Sequence, residues 1–404
     1  MRSTTLVSLV ASSACLVASA PKPGLRLIKT TATAPAVWVT EDQKWYDYTA
    51  KDIDFLDITD ITVHTTPPTQ SPQANNDQDP EVLQILSTPD NGTDSTLSAR
   101  AITYPTAVSH QAEAEPLVAQ VTADKPQAWL KTMTEIFNRH YLGPYASESA
   151  TWMFETVKSV AAPNPNIAVY QFPHVGYDQP SVIAQIPGSS TDLIIMAAHF
   201  DSIGSSFSDA PTVRAPGAED NGSGVVAILE SLRVLANARF TPKNTIEFHF
   251  YAAEEGGKLG SKEIFSNYKA QGKTVLGMVN QDMAGYSPSG KISIYTDYVD
   301  AALTKYVRVV AEAYTGETTS DKCGMSCSDH ASARSNGFRK FVIREFKRAG
   351  LTERTAAAYV CDEVWNKAAK FIHSPEDSYD KVMWDAVLRH AKFGTAFLVE
   401  ASYL

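Results

Sequence analysis

The chain has 404 residues, 44% of them apolar, so it can bury a sizeable core; it carries 45 acidic against 35 basic residues, a formal net charge of −10. That balance argues against nucleic acid as a partner, because binding it draws on basic patches. Past the N-terminus no stretch reaches 18 consecutive apolar residues, so no membrane span is expected.

Residues 1–20 read as a secretory signal. Arg2 supplies the positive end, Leu6 to Val17 the apolar run, and Ala18-Ser19-Ala20 the small-x-small cleavage pattern. The apolar run is too short to cross a bilayer comfortably. Residues 21–95 look unlike a domain core. Pro67-Pro68, Ser71-Pro72 and the stretch from Asn75 to Pro80 are turn and linker chemistry. A propeptide is the natural reading, with Trp45 to Ile61, which mixes aromatics and acids, suited to docking. Asn91-Gly92-Thr93 is a glycosylation sequon. A single domain is expected over 96–404.

Within that domain, Ser147 to Ala161 reads as a helix with Trp152, Phe154, Val157 and Val160 apolar. Val182–Ile186 and Leu193–Ala198 read as strands, the second almost wholly apolar, as in a strand buried on both faces. A helix over Val225–Leu235 follows a Gly-rich turn. Strands are expected over Thr245–Ala253, Leu276–Asn280 and Ile292–Tyr295, and helices over Leu303–Ala313 and Met383–Glu400. Alternating strands and helices give the α/β class: a three-layer α/β/α sandwich around a mixed, mostly parallel central sheet.

Metal-type ligands cluster at the ends of the predicted strands. His199-Phe200-Asp201 ends one strand, and Asp220 opens Asp220-Asn221-Gly222-Ser223-Gly224 before a helix. Glu254-Glu255 ends another strand, Asp282 follows a third, and His373 follows Phe371-Ile372. Alone, each is more often a hydrogen-bonded surface histidine, an ordinary turn before a helix or solvated surface charge. Together, in this order, they converge on one edge of the sheet, where α/β enzymes place their sites. Cys323 and Cys327 form a C-x3-C pair, either a small-loop disulfide or two unpaired core cysteines, and Cys361 is left over.

These five motifs resemble the secreted zinc aminopeptidases with two co-catalytic zinc ions, and among them the fungal leucine aminopeptidases. The resemblance implies that Asp220 bridges both zincs, that His199 and Asp282 complete one site, and that Glu255 and His373 complete the other. It implies Glu254 as general base acting on a bridging water, with Asp201 orienting His199 from behind. Neighbouring residues of a strand face opposite ways, so Glu254 and Glu255 must lie just past the pleat, as Gly256-Gly257 suggests. The stretch from Cys323 to His330 looks like the family's disulfide loop. The family's pocket for the N-terminal side chain maps onto Met283, Met325, Cys327, Trp365 and Ile372, favouring leucine or another bulky apolar residue. The resemblance also raises a cis peptide bond at Asp220–Asn221. Asn221-Gly222-Ser223 is formally a sequon, but beside the metals it should carry no glycan. The implied protein is an extracellular monomer acting on peptides with a free N-terminus, with its own propeptide as a partner. Two alternatives stand beside it: a single-zinc glutaminyl cyclase on the same fold, and a catalytically impaired secreted binding protein.

Lys340 to Ala356 reads as the translation of a retained intron. It holds five basic residues and two acidic ones in an acidic chain. In the family, Gly-Phe is followed by proline and small residues, whereas Gly337-Phe338 here meets Arg339-Lys340-Phe341. The codons for Arg339-Lys340-Phe341 can contain a splice donor, those for Leu351-Thr352 a branch point, and those for Thr355-Ala356 an acceptor. Joining across them restores Gly-Phe-Pro-Ala-Ala-Tyr. As protein, the segment is expected to be an excursion with its two ends close together.

Overall fold

A computed structural model describes residues 25–29, 37–40, 43, 56–57, 102–204, 211–336 and 356–404. The signal sequence, Asn91 and residues 340–355 lie outside the described residues. Near the N-terminus, strands β1 (Leu25–Lys29), β2 (Val37–Thr40) and β3 (Leu56–Asp57) form a small antiparallel sheet, with Ile28 opposite both Val37 and Asp57. Ile28 and Val39 are buried, so the stretch read as lacking core character has a small one.

The main domain starts with helices α1 (Gln111–Val118), α2 (Asp124–Glu135) and α3 (Ala146–Ala161), then strands β4 (Ala168–Phe172), β5 (Ser181–Ile186) and β6 (Ser190–His199). Next come α4 (Gly224–Asn237), β7 (Asn244–Tyr251), α5 (Leu259–Ala270), β8 (Val275–Gln281) and β9 (Ile292–Tyr295). Then follow α6 (Ala301–Thr315), β10 (Thr318–Asp321), α7 (His330–Asn336), β11 (Ala357–Cys361) and α8 (Trp384–Ala401). The eight strands of the domain form one sheet in the order β10-β9-β11-β8-β6-β7-β5-β4. Four of its seven pairings are parallel and three antiparallel, which is the expected mixed sheet.

The sheet is sandwiched because β6 has no polar face. Ile194, Met196 and Ala198 point into a core built with α1 to α4, α6 and α8. Leu193, Ile195 and Ala197 point the other way, against Ile264, Phe265 and Tyr268 of α5 and Ala333 of α7. Each fully buried Leu, Ile, Met or Phe among them contributes about 1.5–3 kcal/mol, and truncating one to alanine costs about 2–5 kcal/mol. α4 buries twelve of its fourteen residues, leaving Arg233 and Asn237 at the surface, and its apolar residues join the larger core. α6 is capped by Asp300, whose Oδ1 accepts from the backbone N–H groups of Ala302 at 2.9 Å and Leu303 at 2.8 Å. No helix among the described residues is long and apolar enough to cross a membrane.

Candidate active site

β7, β6, β8 and β11 are neighbours in the sheet and run parallel, so their C-terminal ends share one edge. His199 is the last residue of β6, Glu254 and Glu255 lie just past β7, and Asp282 directly follows β8. Asp220 sits in the turn leading into α4, and His373 in the loop beyond β11. The structure brings these five residues together. His199 Nε2 lies 3.2 Å from Asp220 Oδ1 and 3.5 Å from Asp282 Oδ1. His373 Nε2 lies 3.0 Å from Asp220 Oδ2 and 3.2 Å from Glu255 Oε2. The result is two three-residue groups, His199/Asp220/Asp282 and Asp220/Glu255/His373, each with its ligand atoms within 4.8 Å of one another. Asp220 offers one oxygen to each histidine and so belongs to both.

Glu254 and Glu255 do lie beyond the pleat. Ala253 at φ 55° turns the chain, and Gly257 and Lys258 follow at φ 106° and 63°. The Glu254 carbonyl accepts from the N–H groups of Gly257 at 2.8 Å and Lys258 at 2.6 Å, closing the turn. Gly256 is required here, since a Cβ would come within 2.6 Å of the Tyr141 ring. Met283 and His373 also adopt positive φ, 62° and 52°. Such conformations concentrate where surrounding contacts impose them.

A buried polar frame holds the ligand-bearing turns. Asp201 accepts from the backbone N–H groups of Glu254 and Glu255, both at 3.0 Å, while its Oδ1 lies 3.4 Å from His199 Nδ1. Asp377 accepts from the N–H groups of Glu219 at 2.8 Å and Asp220 at 3.0 Å. The Ser328 hydroxyl donates to Asp282 Oδ2 at 2.5 Å and accepts from Asn280 Nδ2 at 2.7 Å. The Arg139 guanidinium, fully buried, donates to the carbonyls of Phe200 at 2.7 Å and Gly217 at 2.9 Å, and also to that of Pro216. It thereby ties the end of β6 to the loop before Asp220. Asp377, Ser328 and Arg139 were not among the residues expected from sequence. Arg139 binds main-chain carbonyls, which leave no pattern of side-chain types to read.

The Asp220–Asn221 peptide bond is cis, as the resemblance implied. Asn221 is fully buried; its Oδ1 accepts from Gly224 N at 3.2 Å and Met283 N at 3.0 Å, and its Nδ2 donates to Gln281 O at 2.9 Å. An amide so occupied is closed to glycosylation.

The site's electrostatics call for added positive charge. Burial disfavours a charged His199, but Asp282, Asp201 and Asp220 outweigh it and hold the imidazole well above its usual range. His373 is raised too, partial desolvation opposing and Glu255 and Asp220 prevailing, although 40% of its side chain stays accessible. Burial, with Asp220 nearby, pushes Glu255 up to about 7, and burial drives Glu254 well above the usual carboxylate range. Burial opposes ionisation of Asp220 as well, yet hydrogen bonds from both histidines bring it well below its usual value.

Met283 and Ile372 fall into one apolar cluster with Tyr295, Val299, Tyr359, Cys361 and the cysteines 323 and 327. Cys323 and Cys327 are joined as a disulfide, and Cys361 is a buried free thiol. Met325, half-buried on the disulfide loop, and Trp365, 41% exposed with its backbone N–H donating to Asp321 Oδ2, are not part of that cluster.

One further array resembles nucleophilic machinery. His174 Nε2 is 2.7 Å from Ser181 Oγ, and its Nδ1 is 2.6 Å from Glu263 Oε2. Ser181 is fully buried and its Oγ accepts from Ala252 N at 3.0 Å, so it fastens the start of β5 rather than meeting a substrate.

Residues 181–398 match peptidase family M28. The chain is similar to a probable leucine aminopeptidase of Arthroderma otae, 33% identical over 388 residues covering 95% of this chain and 94% of that protein. It is also similar to leucine aminopeptidase 1 of the same organism, 36% identical over 379 residues covering 90% and 88%. Among solved structures, the LapA aminopeptidase of Legionella pneumophila shares the fold with a TM-score of 0.69 at 22% identity, covering 94% of this chain and 98% of that one. The fold also extends to a glutaminyl cyclase of Porphyromonas gingivalis, with a TM-score of 0.54 at 17% identity and coverage of 70% and 99%. The family match over the ligand-bearing domain, and the relatives matched along nearly their whole length, establish that this chain belongs to peptidase family M28.

Proposed function

We propose that the protein is a two-zinc aminopeptidase that hydrolyses the first peptide bond of peptides with a free N-terminus, preferring leucine or another bulky apolar first residue. The observation that carries this is the pair of three-ligand groups sharing Asp220 at the sheet edge. The donor set fits the metal: two imidazoles and three carboxylates nearly balance two divalent cations. Glu255 Oε1 and Glu254 Oε1 are buried with no hydrogen-bond partner, a condition that a cation or a polar reactant would relieve. When bound, the zincs polarise the scissile carbonyl and acidify water.

His199 and Asp282 would hold one zinc, Glu255 and His373 the other, with Asp220 available to both. Glu254 is the general base. It takes a proton from the attacking water and delivers it to the leaving amine. Asp201 keeps Glu254 and Glu255 in place through their backbones and orients His199. Met283, Met325, Cys327, Trp365 and Ile372 form the pocket for the first side chain. The leucine aminopeptidases among the relatives support that preference. Secretion through residues 1–20, a propeptide over 21–95, a glycan at Asn91 and a monomeric mature enzyme belong to the same proposal.

The test is release of amino acid from leucine-p-nitroanilide, with and without chelator, by wild type and Glu254→Gln. The variant should keep its zinc and lose about 10²–10⁴-fold in turnover. Activity within tenfold of wild type rejects Glu254 as the base. The fold shared with glutaminyl cyclases makes a single-zinc transferase the second reading. A single bound zinc, with cyclisation of N-terminal glutamine and no leucine release, would establish it.

A further inference from the structure

The turn after β7 carries one side chain that neither the turn nor the proposed chemistry requires. Lys258 is 2% exposed and sits at φ 63°, where glycine or asparagine would supply the same N–H to the Glu254 carbonyl with less strain, so the turn does not call for its side chain. A buried ammonium must be supplied with acceptors. Lys258 Nζ donates to the Ser326 hydroxyl at 2.9 Å and to the Ser326 carbonyl.

Ser326 lies inside the loop closed by Cys323 and Cys327. That loop is fastened at two other points. Asp297 accepts from the N–H groups of Cys323 at 3.1 Å and Gly324 at 2.7 Å. At the far end, Ser328 bonds Asp282 Oδ2. Between these anchors lie Met325 and Cys327, which belong to the proposed side-chain pocket, and Lys258 is the tie that fixes their middle. The same residue thus joins the backbone turn of Glu254 to the wall that a substrate's first side chain would meet.

We propose that Lys258 is a specificity-positioning residue. By holding Ser326 it sets the position of the Met325–Cys327 wall relative to Glu254, and so the size of apolar side chain the site accepts. This role presupposes the aminopeptidase function proposed above.

Lys258→Met keeps an unbranched apolar stem one atom shorter and removes the donors. Wild type, Lys258→Met, Lys258→Arg and Ser326→Ala are assayed on leucine- and alanine-p-nitroanilide, with zinc content and melting temperature measured in parallel. For Lys258→Met the leucyl KM should rise about 5- to 10-fold with kcat within about twofold, and the leucine-to-alanine ratio of kcat/KM should narrow by a similar factor. Lys258→Arg should restore part of the preference, and two zincs should remain bound throughout. Ser326→Ala, which removes only the hydroxyl acceptor, should shift KM the same way by about twofold, and it tests the tie even where Lys258→Met fails to fold. Unchanged KM and preference in Ser326→Ala and Lys258→Met overturn the proposal. So does a fall in kcat, zinc content and melting temperature together with preference intact. If zinc-loaded wild type releases no amino acid, the functional reading fails and this role falls with it; wild-type activity with indifferent variants overturns Lys258 alone.

Discussion

Asp201 reaches from beyond the end of β6 to the backbone of Glu255 beyond β7, its Oδ2 accepting the Glu255 N–H at 3.0 Å. With the matching bond from Glu254 N to Oδ1, one carboxylate sets the turn that presents both glutamates, and the same Oδ1 faces His199. Asp201→Asn replaces one acceptor with a donor pointed at a backbone N–H. It should lower kcat/KM and zinc affinity by about 10- to 100-fold. Kinetics and zinc titration within twofold of wild type would show that Asp201 is only a turn residue.

Asp220 is the one ligand common to both groups, so its loss should differ in kind from the loss of any other. Asp282→Asn should remove one zinc and leave the Glu255/His373 pair with Asp220. Asp220→Asn should leave neither site with three ligands, and bound zinc should fall from two equivalents toward none. Elemental analysis after dialysis against a weak chelator measures this. Two equivalents retained by Asp220→Asn would contradict a shared ligand.

Much of this site was legible because strand-end ligands lie beside strong local signals. The apolar run of β6 and the Gly-rich turn before α4 marked where His199 and Asp220 must sit, and their order placed them on one sheet edge. The elements passed over lacked such signals. β10 reads Thr-Thr-Ser-Asp and lies at the sheet edge, so it carries no apolar alternation. β11 is only five residues, two of them alanine, and its strand character comes from pairing with β8 and β9. α1 contains Pro116, a helix breaker by propensity that is tolerated in this short helix. Asp377 is four residues beyond His373, but nothing in its neighbourhood announces that it accepts the N–H of Asp220 at 3.0 Å. Long-range side chain to backbone bonds are set by tertiary structure and have no spacing rule.

Glu247 on β7 should govern acid stability from a point outside the active site. Its carboxylate accepts from Gln185 Nε2 at 2.8 Å and the Tyr268 hydroxyl at 2.6 Å, and Oε2 lies 2.8 Å from His249 Nε2. Burial alone would raise it, but the hydrogen bond and charge of His249, with Lys273 and Tyr268, bring it down to about 2. A carboxyl lowered on folding contributes stability that is complete above its unfolded value of 4.5 and is lost as pH falls toward 2. The contribution is about 3 kcal/mol at neutral pH from this shift. Glu247→Gln should therefore destabilise the protein by a few kcal/mol, of order 3, at pH 7 and flatten the stability profile between the two values. Denaturant melts with chelator present keep zinc loss out of the comparison. A slope in that window identical to wild type would remove Glu247 as its source.

The N-terminal stretch should be separable from the folded enzyme. Residues 21–95 are read as a propeptide, and their described part forms only a three-stranded sheet of short strands. Mass-spectrometric analysis of secreted protein should find a mature N-terminus well beyond residue 60. A start near residue 21 would end the propeptide reading.

Residues 340–356 should be dispensable, because the described elements that flank them are held from outside the segment, β11 by β8 and β9 and α7 through Ala333 against α5. α7 ends at Asn336, and β11 begins at Ala357, paired with Met278 of β8. Ala356 meets β8 through its carbonyl, which accepts the Met278 N–H at 2.8 Å. The proline that splicing would place before Ala357 keeps a carbonyl and lacks only an N–H, so that bond survives the join. None of His199, Asp220, Glu255, Asp282 or His373 lies within the segment. The join leaves three residues between Asn336 and Ala357, too few for the logarithmic loop-closure rule, so the shortened chain folds only if those two ends lie close together. A chain reading Gly337-Phe338-Pro-Ala357-Ala358-Tyr359 should fold with two zincs bound and a melting temperature equal to or above that of the full chain. Transcripts should contain the spliced junction. Reads that all retain the codons for Lys340 to Ala356 would refute the intron reading. A shortened chain that loses zinc or stability would show that the segment belongs to the fold.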